Sequence, residues 1–303
     1  MPKEIIVKPE AGQEVVVNPV GGLKIAKINR SASKLQARVT VEGVYVDPVE
    51  PPPVEPPPVE PPPVEPPPVE PLPGTIVQVG QLSSAIANAR NGDTLILRGG
   101  EHVTSLIHTN KSLRLIAYAG EVPVITQTGR QDGLYFAGGP VLVKGINFLA
   151  GSGIFHDSMG SALSEVDGGH DVTYEDCVFT GDPVLDDHQQ LLYQRLGTNT
   201  ICRRCTFIGN GTKGFGFHQY PGTTSDPHTV LEQCTFRDIG YALTTDSRIT
   251  VRDCTFVNVS QVAIQLRNSA GGSVITGNRG SNVGLGIQKP SGMSITDTGN
   301  VWA

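Results

Sequence analysis

The C-terminal part of the chain repeats a short pattern: an apolar residue, two polar residues, Cys or Ile, any residue, and Phe. The pattern occurs as VKGINF at 143–148, YEDCVF at 174–179, CRRCTF at 202–207, LEQCTF at 231–236 and VRDCTF at 251–256. The fourth positions, Ile146, Cys177, Cys205, Cys234 and Cys254, are separated by 31, 28, 29 and 20 residues. Loosely constant spacing predicts a solenoid, in which each coil buries its apolar residues by stacking on its neighbours.

The cysteines are predicted to form an internal ladder. Val251 and Cys254 have opposite parity along a strand, so both point inward only if the backbone turns at residues 252–253. Free buried cysteine behaves as a small hydrophobe. The alternative is a metal or redox site at Cys202-x-x-Cys205, but this pair lacks a second pair at a suitable spacing. An odd count of five cysteines also argues against a disulfide scaffold.

A proline-rich segment divides the chain. Residues 47–74 contain PVE, then PPPVE four times, then PLPG. Because proline fixes φ and removes a donor, we predict a polyproline II linker, which at about 3.1 Å per residue would span roughly 70 to 80 Å. A disordered linker or a docking site for proline-reading domains is the alternative.

The position of this linker predicts that the chain has three parts. Residues 1–46 alternate apolar and polar positions, which predicts a small β-rich domain of four short strands that anchors the chain or stands alone as a solvated module. Residues 75–303 are long enough to bury a large core. Helical spacing of Leu82 and Ile86 before Asn91-Gly92 predicts a short helix that caps the solenoid.

Composition excludes several classes of protein. The net charge is −6, and no basic tail or stripe indicates nucleic acid. The start has no apolar stretch typical of a secretory signal peptide, and no run of eighteen apolar residues predicts a membrane span.

With these features, residues 75–303 resemble the right-handed parallel β-helix of the pectate-lyase-like superfamily. The resemblance covers the helix, the GDTLIL strand at 92–97 and the Cys-x-Phe coils. It implies an all-β fold, but not one function, because the superfamily includes polysaccharide lyases, glycoside hydrolases, phage tailspikes and inactive binding modules. The arrangement of small domain, stalk and β-helix resembles phage tailspikes, tail fibres and capsid decoration proteins.

A second strand in each coil predicts a glycan-binding face. Alignment of SALSEVD, LLYQRL, FGFHQY, YALTTD, VAIQLR and LGIQKP places one polar residue of each strand outside. The predicted glycan-binding residues are Gln194, His218, Tyr220, Thr244, Gln265 and Gln288. The alternative is that these residues are simply the solvated outside that every β-helix needs.

Acidic and basic residues near this face define candidate catalytic groups, namely Asp186, Asp187, His218, Asp226, Asp246 and Arg267. Paired carboxylates would hydrolyse a glycosidic bond. A lyase would instead use His218 or Tyr220 as the base and Arg267 to neutralise a uronate carboxylate. A metal could bind His188, His218, Asp226 and His228, but their spacing is not compact, so we expect no metal and no cofactor. Loop aspartates and histidines can also be merely solvated.

The leading hypothesis is a phage virion surface protein, a tail fibre or spike or a capsid decoration, whose stalk projects a glycan-binding head. Its expected partners are a capsid or tail protein at residues 1–46 and a polysaccharide at the β-helix, without nucleic acid. A homotrimer would suit a small anchor, although the five-residue repeat offers no pairing seam. The alternative is an extracellular polysaccharide lyase or glycoside hydrolase.

Overall fold

A computed structural model describes residues 73–104, 107–128, 134–150, 162–166, 171–181, 190–194, 199–211, 214–219 and 229–303, together with strands at 4–7, 24–25 and 37–42. The chain divides into two compact units, Met1–Pro67 and Pro68–Ala303. In the first unit, strands β1 (Glu4–Val7), β2 (Lys24–Ile25) and β3 (Ala37–Glu42) form an antiparallel sheet in the order β1-β3-β2. The second of the four predicted strands, QEVVVNP at 13–19, and residues 47–72 of the proline-rich linker fall outside the described residues.

The second unit begins with strand β4 (Thr75–Val77) and helix α1 (Leu82–Asn88). Its following strands are β5 (Asp93–Leu97), β6 (Gly100–Thr104), β7 (Ile107–Thr109), β8 (Leu113–Ala117), β9 (Pro123–Gln127), β10 (Leu134–Phe136), β11 (Val141–Lys144), β12 (Asn147–Ala150), β13 (Ala162–Val166), β14 (Asp171–Glu175) and β15 (Val178–Thr180). The later strands are β16 (Gln190–Gln194), β17 (Asn199–Arg203), β18 (Thr206–Ile208), β19 (Phe215–Gln219), β20 (Thr229–Glu232), β21 (Thr235–Thr245), β22 (Ile249–Arg252), β23 (Thr255–Leu266), β24 (Val274–Thr276), β25 (Arg279–Gln288), β26 (Thr296–Thr298) and β27 (Val301–Trp302).

These strands form two parallel sheets that wind into a β-helix. One sheet has ten strands in the order β26-β24-β22-β20-β17-β14-β11-β8-β5-β4. The other has fourteen strands and supplies the remaining sides of each coil. Helix α1 buries Leu82 and Ile86, so its apolar face covers core residues at the start of the solenoid.

Each coil bends where a residue adopts the left-handed backbone conformation. Gln233 and Asp253 have φ of 54°, and Gly277 occupies the equivalent place with φ of 69°. This bend allows Val251 and Cys254 to face the same interior, as the sequence pattern predicts, and both are buried. A second bend of the same kind lies at Asp238, inside the long strand β21.

The core consists of stacked ladders. Phe148, Phe179, Phe207, Phe236 and Phe256 stack with ring centroids 4.8, 4.9, 4.6 and 5.2 Å apart and nearly parallel planes. Trp302 closes this stack at the C-terminal end, 5.5 Å from the ring of Phe256. Offset parallel rings at this spacing add attraction to the apolar area that they bury.

The cysteine ladder is confirmed. All five cysteines are free and buried, and Cys202 lies in register between Tyr174 and Leu231. Burial raises the pKa of the Cys202 thiol well above its ordinary value, so it stays neutral and is a poor metal ligand.

We therefore expect a water-soluble thiol reagent to label none of the five cysteines in the native protein and all of them in denaturant. The reason is that the reagent needs both access and a thiolate. Labelling is followed by mass spectrometry, with urea-unfolded protein as the control. Rapid native labelling at Cys202 and Cys205 would contradict the structural interpretation and favour a redox role for this pair.

Charged side chains of alternating sign lie on the outer face of the ten-stranded sheet, along the solenoid axis. This ion-pair ladder consists of Lys144, Glu175, Arg203, Glu232 and Arg252. The N···O distances between successive members are 3.3, 3.5, 3.4 and 2.8 Å. Because these groups are partly exposed, each pair contributes little stability by itself.

Candidate functional site

The outer face of the fourteen-stranded sheet carries a column of mostly polar side chains, one from each coil. We call Tyr193, His218, Thr244, Gln265 and Gln288 the polar column. Strand pairing fixes its order, because Tyr193 pairs with His218, His218 with Thr244, Thr244 with Gln265, and Gln265 with Gln288. The sequence analysis predicted His218, Thr244, Gln265 and Gln288 in this order.

One predicted member is wrong. Gln194 pairs with Gln219, and this position continues through Thr245 to Leu266 of the core. Its side chain is buried and accepts a 2.8 Å hydrogen bond from Thr229 Oγ1. Gln194 therefore satisfies an interior hydroxyl, and Tyr193 takes its place in the polar column.

The incorrect assignment of Gln194 to the polar column has a physical cause. Each of these strands places two successive residues inside, such as Leu191 and Leu192, or Ala242 and Leu243. The inward-facing positions before such a pair have the opposite parity to those after it. A strict inward–outward alternation therefore assigns the residues beyond the pair to the wrong side, one position out of register. Alignment on the buried pairs would have found the correct register.

A hydrogen-bonded chain orders the C-terminal half of the polar column. Thr244 Oγ1 donates to Gln265 Oε1 at 3.2 Å, and Gln265 Nε2 donates to Gln288 Oε1 at 2.7 Å. The Nη2 atom of Arg267 donates to the same Gln265 oxygen at 3.1 Å. The side-chain amide of Gln265 thus holds Arg267 beside the column, and Thr244 and Gln288 fix that amide in turn.

His218 lies in the buried part of the column, with Tyr193 on one side and Thr244 on the other. Its ring centroid is 5.2 Å from that of Phe215 and 5.4 Å from that of Tyr193. Burial, which is the larger cause, and the positive charge of Arg267 together lower the pKa of His218 to about 4. The imidazole is therefore neutral at physiological pH, which is the form that accepts a proton.

Asp246 follows β21 directly and is also buried. Burial raises the pKa of its carboxyl group, while the positive charge of Arg267 opposes that change. His218, Asp246 and Arg267 thus come from three successive coils, and Arg267 acts electrostatically on both of the others. Asp246 follows β21 and Arg267 follows β23, so both lie at the same end of neighbouring strands as His218, near the end of β19.

The other predicted site residues lie in parts of the chain that the structure does not describe. Asp186, Asp187, Tyr220 and Asp226 lie outside the described residues, as do His188 and His228. Among the described residues, no group of three or more His, Cys, Asp or Glu side chains is arranged to hold a metal ion. Nor does any helix in the described part of the chain have the length and apolar character needed to cross a membrane.

A second column was missed by the sequence analysis. Phe215, Tyr241, Val262 and Leu285 pair in succession, three residues before the polar column on the same strands, and we call them the apolar column. The rings of Phe215 and Tyr241 stack at 5.1 Å, and Leu285 is 45% exposed. Their shared position before each buried pair was the signal available in the sequence.

Acidification is expected to destabilise the β-helix through His218. In the unfolded chain its pKa is about 6.5, whereas the folded value is about 4, so the unfolded state takes up the proton first. The stability contributed by neutral His218 is complete above pH 6.5 or so, and about 2–3 kcal/mol is lost as the pH falls to about 4. Urea unfolding at a series of pH values measures this slope.

His218→Gln is the control for that measurement, because glutamine does not titrate. The raised pKa of Asp246 acts in the opposite direction, adding stability as the pH falls, and it is present in both proteins. The difference between the two slopes therefore isolates His218. Parallel pH profiles for the wild type and the variant would show that His218 is not buried in its neutral form.

The comparisons with known proteins agree with this architecture. The family described as "Right handed beta helix region" matches residues 128–300, more than half of the chain. The chain therefore belongs to this right-handed β-helix family. The sequence has no match among curated proteins.

Two solved structures are similar to the chain. The PL6 family alginate lyase AlyGC has a TM-score of 0.50 and 16% sequence identity, and the match covers 76% of this chain and 39% of the lyase. The catalytic domain of a GH87 α-1,3-glucanase in complex with tetrasaccharides has a TM-score of 0.21 and 12% identity, covering 89% of this chain and 74% of the glucanase. The first likeness shows the fold alone, and the second carries no structural argument.

Proposed function

We propose that the β-helix binds an extended acidic polysaccharide and cleaves it by β-elimination. The observation that carries this proposal is the position of Asp246 and Arg267 on the two coils that follow the coil of His218, beside the polar column. A neutral, buried imidazole and a fixed guanidinium are the two groups that such a reaction needs. The fold shared with an alginate lyase supports the choice of substrate class.

In the proposed reaction Arg267 pairs with the carboxylate of a uronate residue, which makes the neighbouring C5 proton more acidic. His218 takes that proton, the C4–O bond breaks, and a double bond forms between C4 and C5. The departing oxygen needs a proton, and Asp246 is the candidate donor because burial raises its pKa. The products are one chain with a new hydroxyl end and one with an unsaturated end.

Substrate binding also adjusts the base. The charge of Arg267 is one of the two causes that lower the pKa of His218. A bound carboxylate compensates this charge and so raises the pKa of His218 towards the range where general bases work best. The base therefore becomes stronger when the acidic sugar is in place.

The test is to incubate the full chain with alginate, polygalacturonate and a neutral α-glucan. Elimination gives soluble products that absorb at short ultraviolet wavelengths, because the new double bond is conjugated with the carboxylate. Hydrolysis gives reducing ends without this absorption and would require a second carboxylate, for which Asp186, Asp187 and Asp226 are the sequence candidates. Failure to shorten any acidic polysaccharide would sink the enzymatic proposal.

A second candidate function comes from the proline-rich repeat at 47–74. A stiff linker suits a protein that projects a glycan-binding head from a phage tail or capsid, with residues 1–46 as its anchor and as the place where a trimer would form. In that case the polar column holds a surface glycan without cleaving it. Antibody labelling of purified phage particles tests this role, and absence of the chain from the particles would rule it out.

A further inference from the structure

We infer that the apolar column is a sugar-stacking subsite that runs along the solenoid axis and holds the glycan beside His218 and Arg267. This inference rests on the proposed function, which it extends from the reacting group to the neighbouring sugars. The occupant is a run of sugar residues that carries carboxylate groups. The argument uses the geometry of the two columns, the exposure of their members and their charge.

The two columns form an amphipathic track. Phe215, Tyr241 and Leu285 lie on the same strands as His218, Thr244 and Gln288, so an apolar and a polar position recur on these strands. Phe215 and Tyr241 are half-buried and Leu285 is exposed, whereas His218 and Thr244 are buried. Successive coils repeat this pair at roughly 4.8 Å, the ordinary distance between neighbouring strands. A sugar ring has the matching character, with C–H groups on its face and hydroxyl groups around its edge.

The aromatic rings provide a prepared surface. Phe215 stacks on Tyr241 at 5.1 Å and on His218 at 5.2 Å, with interplanar angles of 20° and 23°. The two contacts hold Phe215 between the apolar column and the proposed base. Rings fixed in this way lose little conformational entropy when a ligand covers them.

Leu285 shows where the track continues. It lies on the outside of β25, next to the described end of the polar column at Gln288, and a large apolar side chain is costly to leave open there. Val262, which is buried, lies in register between Leu285 and Tyr241 and supports the two from below. The apolar column thus extends from His218 past Arg267 towards the last coils.

Charge selects an acidic ligand. Arg267 is fixed by Gln265 between the ends of the track, and its charge reaches both His218 and Asp246. A glycan that packs its ring face on the apolar column brings its substituents to this guanidinium. We therefore assign the subsite to uronate-containing chains in preference to neutral glucans.

Binding is measured by the retardation of the full chain in native gels that contain alginate, polygalacturonate or a neutral α-glucan. Tyr241→Leu keeps an apolar side chain but removes the ring, and Leu285→Ser removes the exposed end of the track. Each change is expected to weaken retardation by acidic glycans roughly three- to tenfold. Tyr241→Phe should bind as the wild type does.

Val103→Ser is the matched control, because Val103 is 54% exposed and lies on β6 in the first coils, away from both columns. Retardation that depends on Tyr241 and Leu285 supports the subsite even if no cleavage occurs, in which case only the chemistry fails. Cleavage or retardation that neither change affects overturns the subsite while the chemistry stands. Two further results also overturn it: no retardation by any acidic glycan, and a change in oligomeric state as the only effect of Leu285→Ser.

Discussion

Replacing His218 by glutamine is expected to lower the rate of polysaccharide cleavage by about 10²- to 10⁴-fold, which is the usual contribution of a positioned general base. Glutamine has a similar polar character but cannot take up the C5 proton at any working pH. The loss should appear in kcat, with KM changed little, because the base acts on the reacting atom and not on the bound chain. Initial rates at a series of substrate concentrations, followed by the short-wavelength ultraviolet absorption of the unsaturated product, give both constants.

Arg267→Lys completes this test. Lysine keeps the positive charge but cannot make the same planar contacts with a carboxylate and with Gln265. We expect intermediate activity and a weaker preference for acidic substrates. Arg114→Lys is the control, because Arg114 is exposed on β8 of the other sheet and this change likewise keeps the net charge. Full activity in His218→Gln would exclude His218 as the base.

Replacing Phe207 by alanine is expected to lower the free energy of unfolding by about 3–5 kcal/mol. Phe207 is fully buried and stacks at 4.9 Å on Phe179 and at 4.6 Å on Phe236. Alanine would leave a cavity in the middle of a ladder whose rings cannot move together, because the coil backbones fix their spacing. Urea unfolding followed by circular dichroism measures the change.

Thr206→Ala is the control for the loss at Phe207. Thr206 lies on the same strand with its side chain on the outer side, so the change should stay within about 0.5 kcal/mol. In a solenoid each coil contacts mainly its neighbours. Loss of the Phe207 ring weakens the contact between the coils before it and the coils after it, so the unfolding transition is also expected to broaden. A loss below about 1 kcal/mol for Phe207→Ala would mean that the core collapses around the gap.

The sequence was sufficient to predict the fold because its signal lies in the core. Cys205 and Phe207 recur once per coil, and only a stacked solenoid buries all their counterparts in line. The bend at Asp253 could also be predicted, since Val251 and Cys254 otherwise face opposite sides. The type and spacing of the core residues are therefore enough to predict how the coils stack.

The outer face was harder to predict for a physical reason. Side chains there are not selected by burial, and the two successive inward residues at Ala242 and Leu243 break the alternation that sequence reasoning follows. Gln194 was assigned to the wrong column for this reason, and the role of Tyr241 was missed. The grouping of His218 with Arg267 could be proposed from sequence, but its electrostatics required the folded arrangement.

The ion-pair ladder on the ten-stranded sheet has a consequence for how a solenoid of this kind can change length. Its charges alternate from Lys144 through Glu175, Arg203 and Glu232 to Arg252, one per coil. Deleting a single internal coil would place two like charges on neighbouring strands, whereas deleting two adjacent coils would restore alternation. Within residues 144–252, a change of two coils therefore preserves the alternation of charge, whereas a change of one coil does not.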